Sequence, residues 1–130
     1  MLDTNICIYL MKHQPPEVAR RLAKCNVGEV VMSAITYAEL EYGVAVSGDN
    51  SARNRRALAA LIKDIPVLPF DERAGADYGH IRFATREKKS DALDKLIAAH
   101  AKSVHAVLVT NNEKDFAVYP GLKIENWVSA

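Results

Sequence analysis

Four acidic residues stand at positions where this sequence is otherwise apolar. Asp3 directly follows two apolar residues, and Asp115 comes a few residues after the apolar run AVLV. Glu39 and Asp94 interrupt the segments TYAELEYG and ALDKLIAAHA, in which apolar residues recur at helical spacing. Carboxylates are rarely buried without a partner, because burial disfavours their charged form. These acids are therefore the leading candidates for chemistry.

Convergence of these carboxylates in one place would require something that cancels their charge. Two like charges about 4 Å apart repel by roughly 4 kcal/mol at an effective dielectric constant near 20. Several such pairs would rival the whole stability of a small domain, about 5–15 kcal/mol. Protons, basic side chains or a divalent cation could cancel this charge. Because the four side chains offer only oxygen ligands, Mg²⁺ fits them best, and Mn²⁺ can substitute for it. The predicted metal-binding and catalytic residues are Asp3, Glu39, Asp94 and Asp115.

Each of these acids also has a purely structural interpretation. Asp3 is of a favoured type for capping a helix formed by NICIYLM. Glu39 could be half-exposed and form an ion pair with a nearby basic side chain. Asp94 could form an ion pair with a basic residue of its own helix, and Asp115 could simply lie in a loop. The joint occurrence of the four, at strand ends and on apolar helix faces, favours a site.

Two further acids lie close to the predicted site. Asp91 stands one helical turn before Asp94, and we expect it to cap the helix rather than to join the site. Glu113 is close enough in sequence to Asp115 to serve in its place.

Short apolar runs alternate with longer segments of helical period along the chain. We predict strands at 1–2, 30–32, 66–68, 106–109 and 122–124. We predict helices at 15–25, 35–46, 53–63, 72–88 and 93–103, with a short helix starting at Glu113. This alternation favours an α/β fold with a parallel sheet flanked by helices, in which ligands collect at the carboxyl ends of the strands.

The composition fits one ordinary globular domain spanning residues 1–130. The chain is 49% hydrophobic and 25% charged, with a net charge of +1, so bulk charge indicates no partner. Its two cysteines form no C-x-x-C motif, which argues against a zinc knuckle or a disulfide framework. We expect a cytoplasmic protein, because no apolar run approaches the roughly 20 residues that cross a bilayer.

Four strings in register resemble the PIN-domain ribonucleases of the VapC toxin type. They are MLDTNICIYL, SAITYAELEYG, LDKLIAAHA and VTNNEKDF. The resemblance implies a three-layer α/β/α sandwich around a mainly parallel sheet and Mg²⁺-dependent cleavage of structured RNA. It further implies a tRNA substrate, the initiator tRNA cut in its anticodon stem-loop, a neutralising VapB-type antitoxin and a homodimer. Carried over by position, Asp3, Glu39, Asp94 and Asp115 form the acidic set, supported by Asn5, Thr110 and Asn111.

The sequence departs from that family pattern in two places. Many relatives carry a few more residues before their first acid, which suggests that this chain begins late or has lost its start. Relatives also commonly have a Gly- or Pro-containing stretch before the third acid, where this chain reads KKSDALD.

Two basic stretches are candidates for contacting RNA. The stretch IRFATREKK leads into the helix of the third acid and contains Arg82, Arg86, Lys88 and Lys89. The stretch ARNRR instead could flank an antitoxin groove, in which Leu58, Leu61 and Ile62 would receive a partner helix. Charge runs of this kind are also common on plain solvated surfaces.

Two other functions compete with RNA cleavage. Aspartyl phosphotransferases also place an acid after their first strand, but they usually need a second acid two residues on, where this chain has Asn5. A non-catalytic RNA- or protein-binding module with the same fold is the remaining alternative, and the intact set of four acids argues against it.

Overall fold

The computed structural model describes residues 1–128 and has a short parallel sheet at its centre. The strands in this part of the chain are β1 (Met32–Ser33), β2 (Val67–Leu68), β3 (Leu108–Val109) and β4 (Ile124–Glu125). Leu2 joins the two strand pairs, because it forms parallel bridges with both Met32 and Val109. The order across the sheet is therefore β2, β1, Leu2, β3, β4. Each predicted strand contributes to the sheet, but with only one or two paired residues.

Helices fill most of the chain between these strands. They are α1 (Thr4–Lys12), α2 (Pro16–Ala23), α3 (Ala34–Ala45), α4 (Ser51–Asp64), α5 (Glu72–Ala84), α6 (Ala92–Ser103) and α7 (Glu113–Phe116). A 3-10 turn spans Gly48–Asn50, within the stretch that separates α3 from α4. The prediction of a helix over 72–88 is wrong at its end. The chain leaves helical geometry at Thr85, whose carbonyl accepts a hydrogen bond from the ammonium group of Lys95 at 3.1 Å.

Alternate strand residues face two separate apolar clusters on opposite sides of the sheet. Leu2, Met32 and Val109 pack with buried residues of α1, α2, α3 and α4. Met1 and Leu108 pack on the other side with buried residues of α5, α6 and α7. Because side chains alternate across a strand, this pattern requires a helical layer on each face of the sheet. The predicted α/β/α sandwich is confirmed.

Three residues of α4 that are predicted to receive a partner helix belong instead to the core. Leu58 is 1% exposed and Leu61 is 9% exposed, and both pack in the cluster that covers α1. Ile62 packs against the same cluster. The prediction of an antitoxin groove at these residues is therefore wrong. None of the helices within residues 1–128 has the length and apolarity that crossing a bilayer demands.

The carboxyl ends of the central strands lead directly into the elements that hold the acids. Asp3 follows Leu2, α3 begins immediately after β1, and α7 follows β3 by a short turn. The sheet thus brings the start of α1, helix α3 and helix α7 to one edge, which is the edge at which ligands gather in parallel sheets.

Candidate active site

The Asp3 carboxylate lies at the end of the sheet and at the start of α1. Its Oδ1 accepts a hydrogen bond from the backbone amide of Ile6 at 3.0 Å, so Asp3 caps the helix. The residue is only 4% exposed. Burial raises the pKa of Asp3, and the charge of Glu39 raises it further. Hydrogen bonds from Thr110 and Ile6 lower the same pKa but do not cancel the rise. The predicted capping role and a place among other acids therefore coexist in one residue.

Glu39 faces the same end of the molecule from helix α3. The hydroxyl of Thr4 donates a hydrogen bond to Glu39 Oε1 at 2.6 Å, which ties the start of α1 to the middle of α3. Sequence reasoning missed Thr4, although it directly follows Asp3 in the motif DTN. This hydroxyl fixes the position of the carboxylate beside Asp3.

Asp94 provides the clearest sign that the acids come together. It lies in the first turn of α6 and is partly buried. Burial raises the pKa of Asp94, and the nearby ammonium group of Lys88 opposes this rise. The charges of Glu39, Asp115 and Asp3 all raise it further. The four acids therefore lie near enough to act on one another electrostatically.

Asp115, rather than Glu113, turns toward the other acids. Its carboxylate accepts a hydrogen bond from the side-chain amide of Asn112 at 2.8 Å, and its backbone carbonyl accepts one from Lys88 at 2.9 Å. Glu113 is exposed and accepts a hydrogen bond from Asn126 at 3.0 Å. Sequence reasoning missed Asn112, although it lies in the same motif TNNEKD as the predicted supporting residue Asn111.

The three predicted supporting residues differ in what they contact. Thr110 is fully buried; its hydroxyl bonds Asp3 and also accepts from the backbone amide of Asn112 at 2.8 Å. Asn111 is exposed and accepts a hydrogen bond from Asn126 at 3.2 Å. Asn5 is exposed on the first turn of α1. Thr110 therefore contacts the acidic group through its side chain, whereas Asn5 contacts Asp3 through its backbone amide.

Asp91 occupies the predicted cap position of α6, but its side chain does something else. The carboxylate lies 3.2 Å from the ammonium group of Lys95 and accepts a hydrogen bond from the Tyr119 hydroxyl at 2.6 Å. Burial acts to raise the pKa of Asp91, but the bonds from Tyr119 and Lys95 outweigh it and the net pKa is lowered. The prediction that its carboxylate caps the helix is therefore wrong, because buried partners bind it more strongly.

The predicted RNA-contacting residues surround a cavity beside this network. The cavity has a volume of about 350 Å³ and lies between the end of α5 and the start of α6. Arg82, Arg86, Lys88 and Lys89 all line it. The second basic stretch is partly neutralised, since Arg55 donates two hydrogen bonds to Glu41, at 2.6 and 2.8 Å.

The donor set fits a hard divalent cation in an open arrangement. The acids offer carboxylate oxygens, which are the ligands that Mg²⁺ prefers. Across residues 1–128, no three Asp, Glu, His or Cys side chains are gathered tightly enough to enclose a metal ion. Mg²⁺ does not need such a cage, because it keeps several waters and usually uses one or two carboxylates. Burial disfavours the charged forms of Asp3 and Asp94, and a nearby cation would offset that cost.

Comparison with known proteins identifies the family. The family model of the PIN domain matches residues 1–122. The tRNA(fMet)-specific endonuclease VapC of Shigella flexneri is 36% identical over 129 residues, covering 98% of this chain and 96% of that protein. Ribonuclease VapC1 of Haemophilus influenzae strain R2866 is 39% identical over 132 residues, with 98% and 96% covered.

Solved structures agree with the sequence relatives. The crystal structure of DNA-bound VapBC from Salmonella typhimurium matches with a TM-score of 0.89 and 36% identity, covering 98% of this chain and 96% of that one. VapBC-1 from nontypeable Haemophilus influenzae matches with a TM-score of 0.88 and 37% identity, covering 99% and 98%. The fold and the family match define a PIN-domain nuclease. Within that class, the chain belongs to the VapC family of ribonucleases.

Proposed function

We propose that this VapC-type endoribonuclease requires Mg²⁺ and that its substrate is a tRNA, the initiator tRNA cut in its anticodon stem-loop. The observation that supports metal dependence most strongly is the raised pKa of Asp94, which burial raises most and the charges of Glu39, Asp115 and Asp3 raise further. A cation placed among neighbouring carboxylates stabilises their charged forms. The tRNA assignment is supported by the Shigella flexneri relative, a tRNA(fMet)-specific endonuclease. A tRNA substrate implies that the reaction takes place in the cytoplasm.

The chain's own residues divide the work of phosphodiester hydrolysis. Asp3 and Asp94 would hold the metal directly, with Glu39 and Asp115 holding it directly or through water. Bound Mg²⁺ supplies charge that activates water and neutralises the scissile phosphate. Thr4 orients Glu39 with a 2.6 Å hydrogen bond, which leaves its other oxygen free to accept a proton from the attacking water. Lys88 and Asn112 hold Asp115 in place at the opposite side of the acidic group.

We also propose that a VapB-type antitoxin neutralises the enzyme and that the toxin is a homodimer. The solved relatives from Salmonella typhimurium and Haemophilus influenzae are VapBC complexes. A cavity of about 240 Å³ lies directly beside Glu39, between α1, α3 and α4. It is lined by apolar residues that include Ile8, Met11 and Leu40, a surface that suits the apolar face of a helix. An antitoxin helix seated there would cover Glu39 and block the acidic group.

The experiment that tests this function uses purified protein and a mixture of tRNAs. We expect discrete fragments with Mg²⁺, none with EDTA, and cut ends that map by sequencing to the anticodon stem-loop of initiator tRNA. The Asp94→Asn variant should bind the same tRNA without cutting it. Binding by the wild-type protein without metal-dependent cutting would contradict the proposal and would favour the non-catalytic module. Cuts in a different RNA would contradict the tRNA assignment alone.

A further inference from the structure

The cavity beside the acidic group has an unbalanced positive charge. Five cationic side chains line it, together with the single carboxylate of Asp91. Asp91 and Lys95 neutralise each other at 3.2 Å, and Lys95 also donates to the carbonyls of Thr85 and Lys88. The charges that remain for a ligand belong to Arg82, Arg86, Lys88 and Lys89. Such a concave cationic surface is suited to a phosphate group.

Lys88 connects this cavity to the predicted metal site. Its ammonium group lines the cavity and donates a hydrogen bond to the carbonyl of Asp115 at 2.9 Å. The same charge opposes the rise in the pKa of Asp94. A phosphate in the cavity and a phosphate at the acids are therefore neighbours, with Lys88 between them. A polynucleotide has phosphates at regular short intervals, so one strand can occupy both places.

An exposed aromatic ring adjoins the cavity. Phe83 is 68% exposed on α5, so its ring is accessible to a ligand. The guanidinium group of Arg86 lies over the Phe83 ring at 4.4 Å from its centroid, and Arg86 also lines the cavity. Stacked aromatic and guanidinium planes are the surfaces on which unpaired bases stack in proteins that bind single-stranded RNA.

We propose that this cavity binds a phosphate flanking the cleaved bond of the RNA, and that the base beside this phosphate stacks on the Phe83–Arg86 pair. The inference rests on the proposed function and adds the residues that would hold the RNA beside the cut. A base inside a duplex is already stacked between its neighbours and cannot reach a protein surface. The site therefore selects a strand that is unpaired on one side of the cut, as in a hairpin loop.

Binding measurements test this inference separately from cleavage. A fluorescent stem-loop RNA and its fully paired counterpart are titrated with protein in the Asp94→Asn background, and anisotropy gives the affinity. We expect tighter binding of the stem-loop than of the duplex. Phe83→Leu should weaken stem-loop binding by roughly 5- to 150-fold, the range that corresponds to one stacked base. Phe83→Trp, which keeps an aromatic plane, should bind as well as Phe83 does.

The salt dependence of binding tests whether the cavity holds a phosphate. Affinity falls as salt rises from about 50 to 200 mM, and each phosphate of a single strand that a cationic side chain neutralises contributes roughly 0.7 to the slope of log affinity against log salt. We expect Lys88→Met and Arg82→Met each to make this slope shallower by about that amount. Lys63→Met is the matched control, because Lys63 is an exposed lysine on α4, away from the cavity.

Several outcomes would overturn the inference. Equal binding of stem-loop and duplex, equal affinities of Phe83→Leu and Phe83→Trp, or equal salt slopes for Lys88→Met and Lys63→Met would each contradict it. A change in oligomeric state in Phe83→Leu, with unchanged RNA binding, would instead assign Phe83 to a contact between copies of the chain. If the expected binding pattern holds but wild-type protein cuts no RNA, the proposed function fails while this RNA site stands. If cutting holds and the binding pattern does not, the inference alone fails.

Discussion

Asp3 joins two roles that usually require different side chains. Its Oδ1 caps α1 through the amide of Ile6, while burial and the charge of Glu39 raise its pKa. A cap stabilises the helix by satisfying an unpaired amide, whereas the raised pKa means that the fold resists the charge of the same group. Asparagine keeps the capping ability and removes the charge, so substitution can separate the two roles.

We expect Asp3→Asn to fold as well as the wild type but to lose RNA cleavage by about 100-fold or more. The basis is that substitutions of outer partners of metal ligands already cost roughly 10- to 100-fold. Asp3→Ala should also lose about 1 kcal/mol of stability, because alanine cannot cap. Urea unfolding and cleavage rates measure both effects. Full activity in Asp3→Asn would show that this carboxylate holds no metal.

The raised pKa of Asp94 links the stability of the fold to pH and to metal binding. The fold raises the pKa of Asp94. This carboxyl group therefore adds to the free energy of unfolding at pH values below its pKa in the unfolded chain. The contribution is lost as the pH rises through its pKa in the folded protein. At neutral pH the charged form therefore destabilises the metal-free protein. We expect Asp94→Asn to unfold at a higher temperature than wild type in EDTA.

Added Mg²⁺ should reduce that difference in unfolding temperature. A ligand that binds only the folded state raises the unfolding temperature, so Mg²⁺ should stabilise the wild type and have a smaller effect on Asp94→Asn. Thermal unfolding at neutral pH with EDTA or Mg²⁺ gives the four temperatures needed. The assignment would be contradicted by an equal response of the two proteins to Mg²⁺.

Helix α6 is anchored by a buried ionic network at its first turn. Lys95 is 6% exposed and bonds Asp91 and the carbonyls of Thr85 and Lys88, while Tyr119 bonds Asp91 from the other side. These contacts connect the loop after α5, the start of α6 and the segment after α7. The network therefore sets the position of Asp94, which lies one residue before Lys95.

Lys95→Met should destabilise the protein by about 3–5 kcal/mol. This substitution leaves buried Asp91 with the Tyr119 hydroxyl and the more distant ammonium group of Lys88, at 4.0 Å, but without the ammonium group of Lys95. Breaking a buried ion pair typically costs about that much. The double substitution Asp91→Asn with Lys95→Met removes both charges, so it should recover much of the stability. Urea unfolding of the single and double variants completes the test. Equal stability of Lys95→Met and wild type would mean that the pair does not anchor α6.

Local sequence patterns predicted where some helices begin and end. They failed where contacts between residues far apart in sequence determine the end of a helix or the partner of a side chain. Helix α6 starts one residue before its predicted start, because its apolar spacing and its flanking polar residues agree with each other. Helix α5 ends earlier than its periodicity suggests, because Lys95 binds the carbonyls that follow it. The same long-range contacts engage Asp91, so its carboxylate could not be assigned from its neighbours in sequence.

Sequence patterns predicted the four acids, whose role as a site stays a prediction, but gave no sign of the contacts that support them. Strand ends and apolar helix faces pointed to the four acids, and the rule for parallel sheets put Asp3 and Asp115 at one edge. The bond from Thr4 to Glu39 joins residues 35 positions apart, and that between Lys88 and Asp115 joins residues 27 apart. Spacing in sequence gives no signal for such contacts.

The molecule as a whole separates charges that nearly cancel in its net charge of +1. The four acids gather at the carboxyl edge of the sheet, and the basic cavity adjoins them through Lys88. A negative group that would hold a cation and a positive surface that would hold phosphates together suit the proposed metal-dependent cleavage of a polyanion. Bulk charge therefore said little about the substrate, because the relevant charge is local.

Anomalous diffraction from a crystal soaked in Mn²⁺ tests most directly whether the four acids form one metal site. We predict a peak at the carboxyl edge of the sheet, within direct bonding distance of carboxylate oxygens of Asp3 and Asp94, with Glu39 and Asp115 bound directly or through water. A saturating soak that gives its peak elsewhere, or leaves this edge without one, would contradict the account.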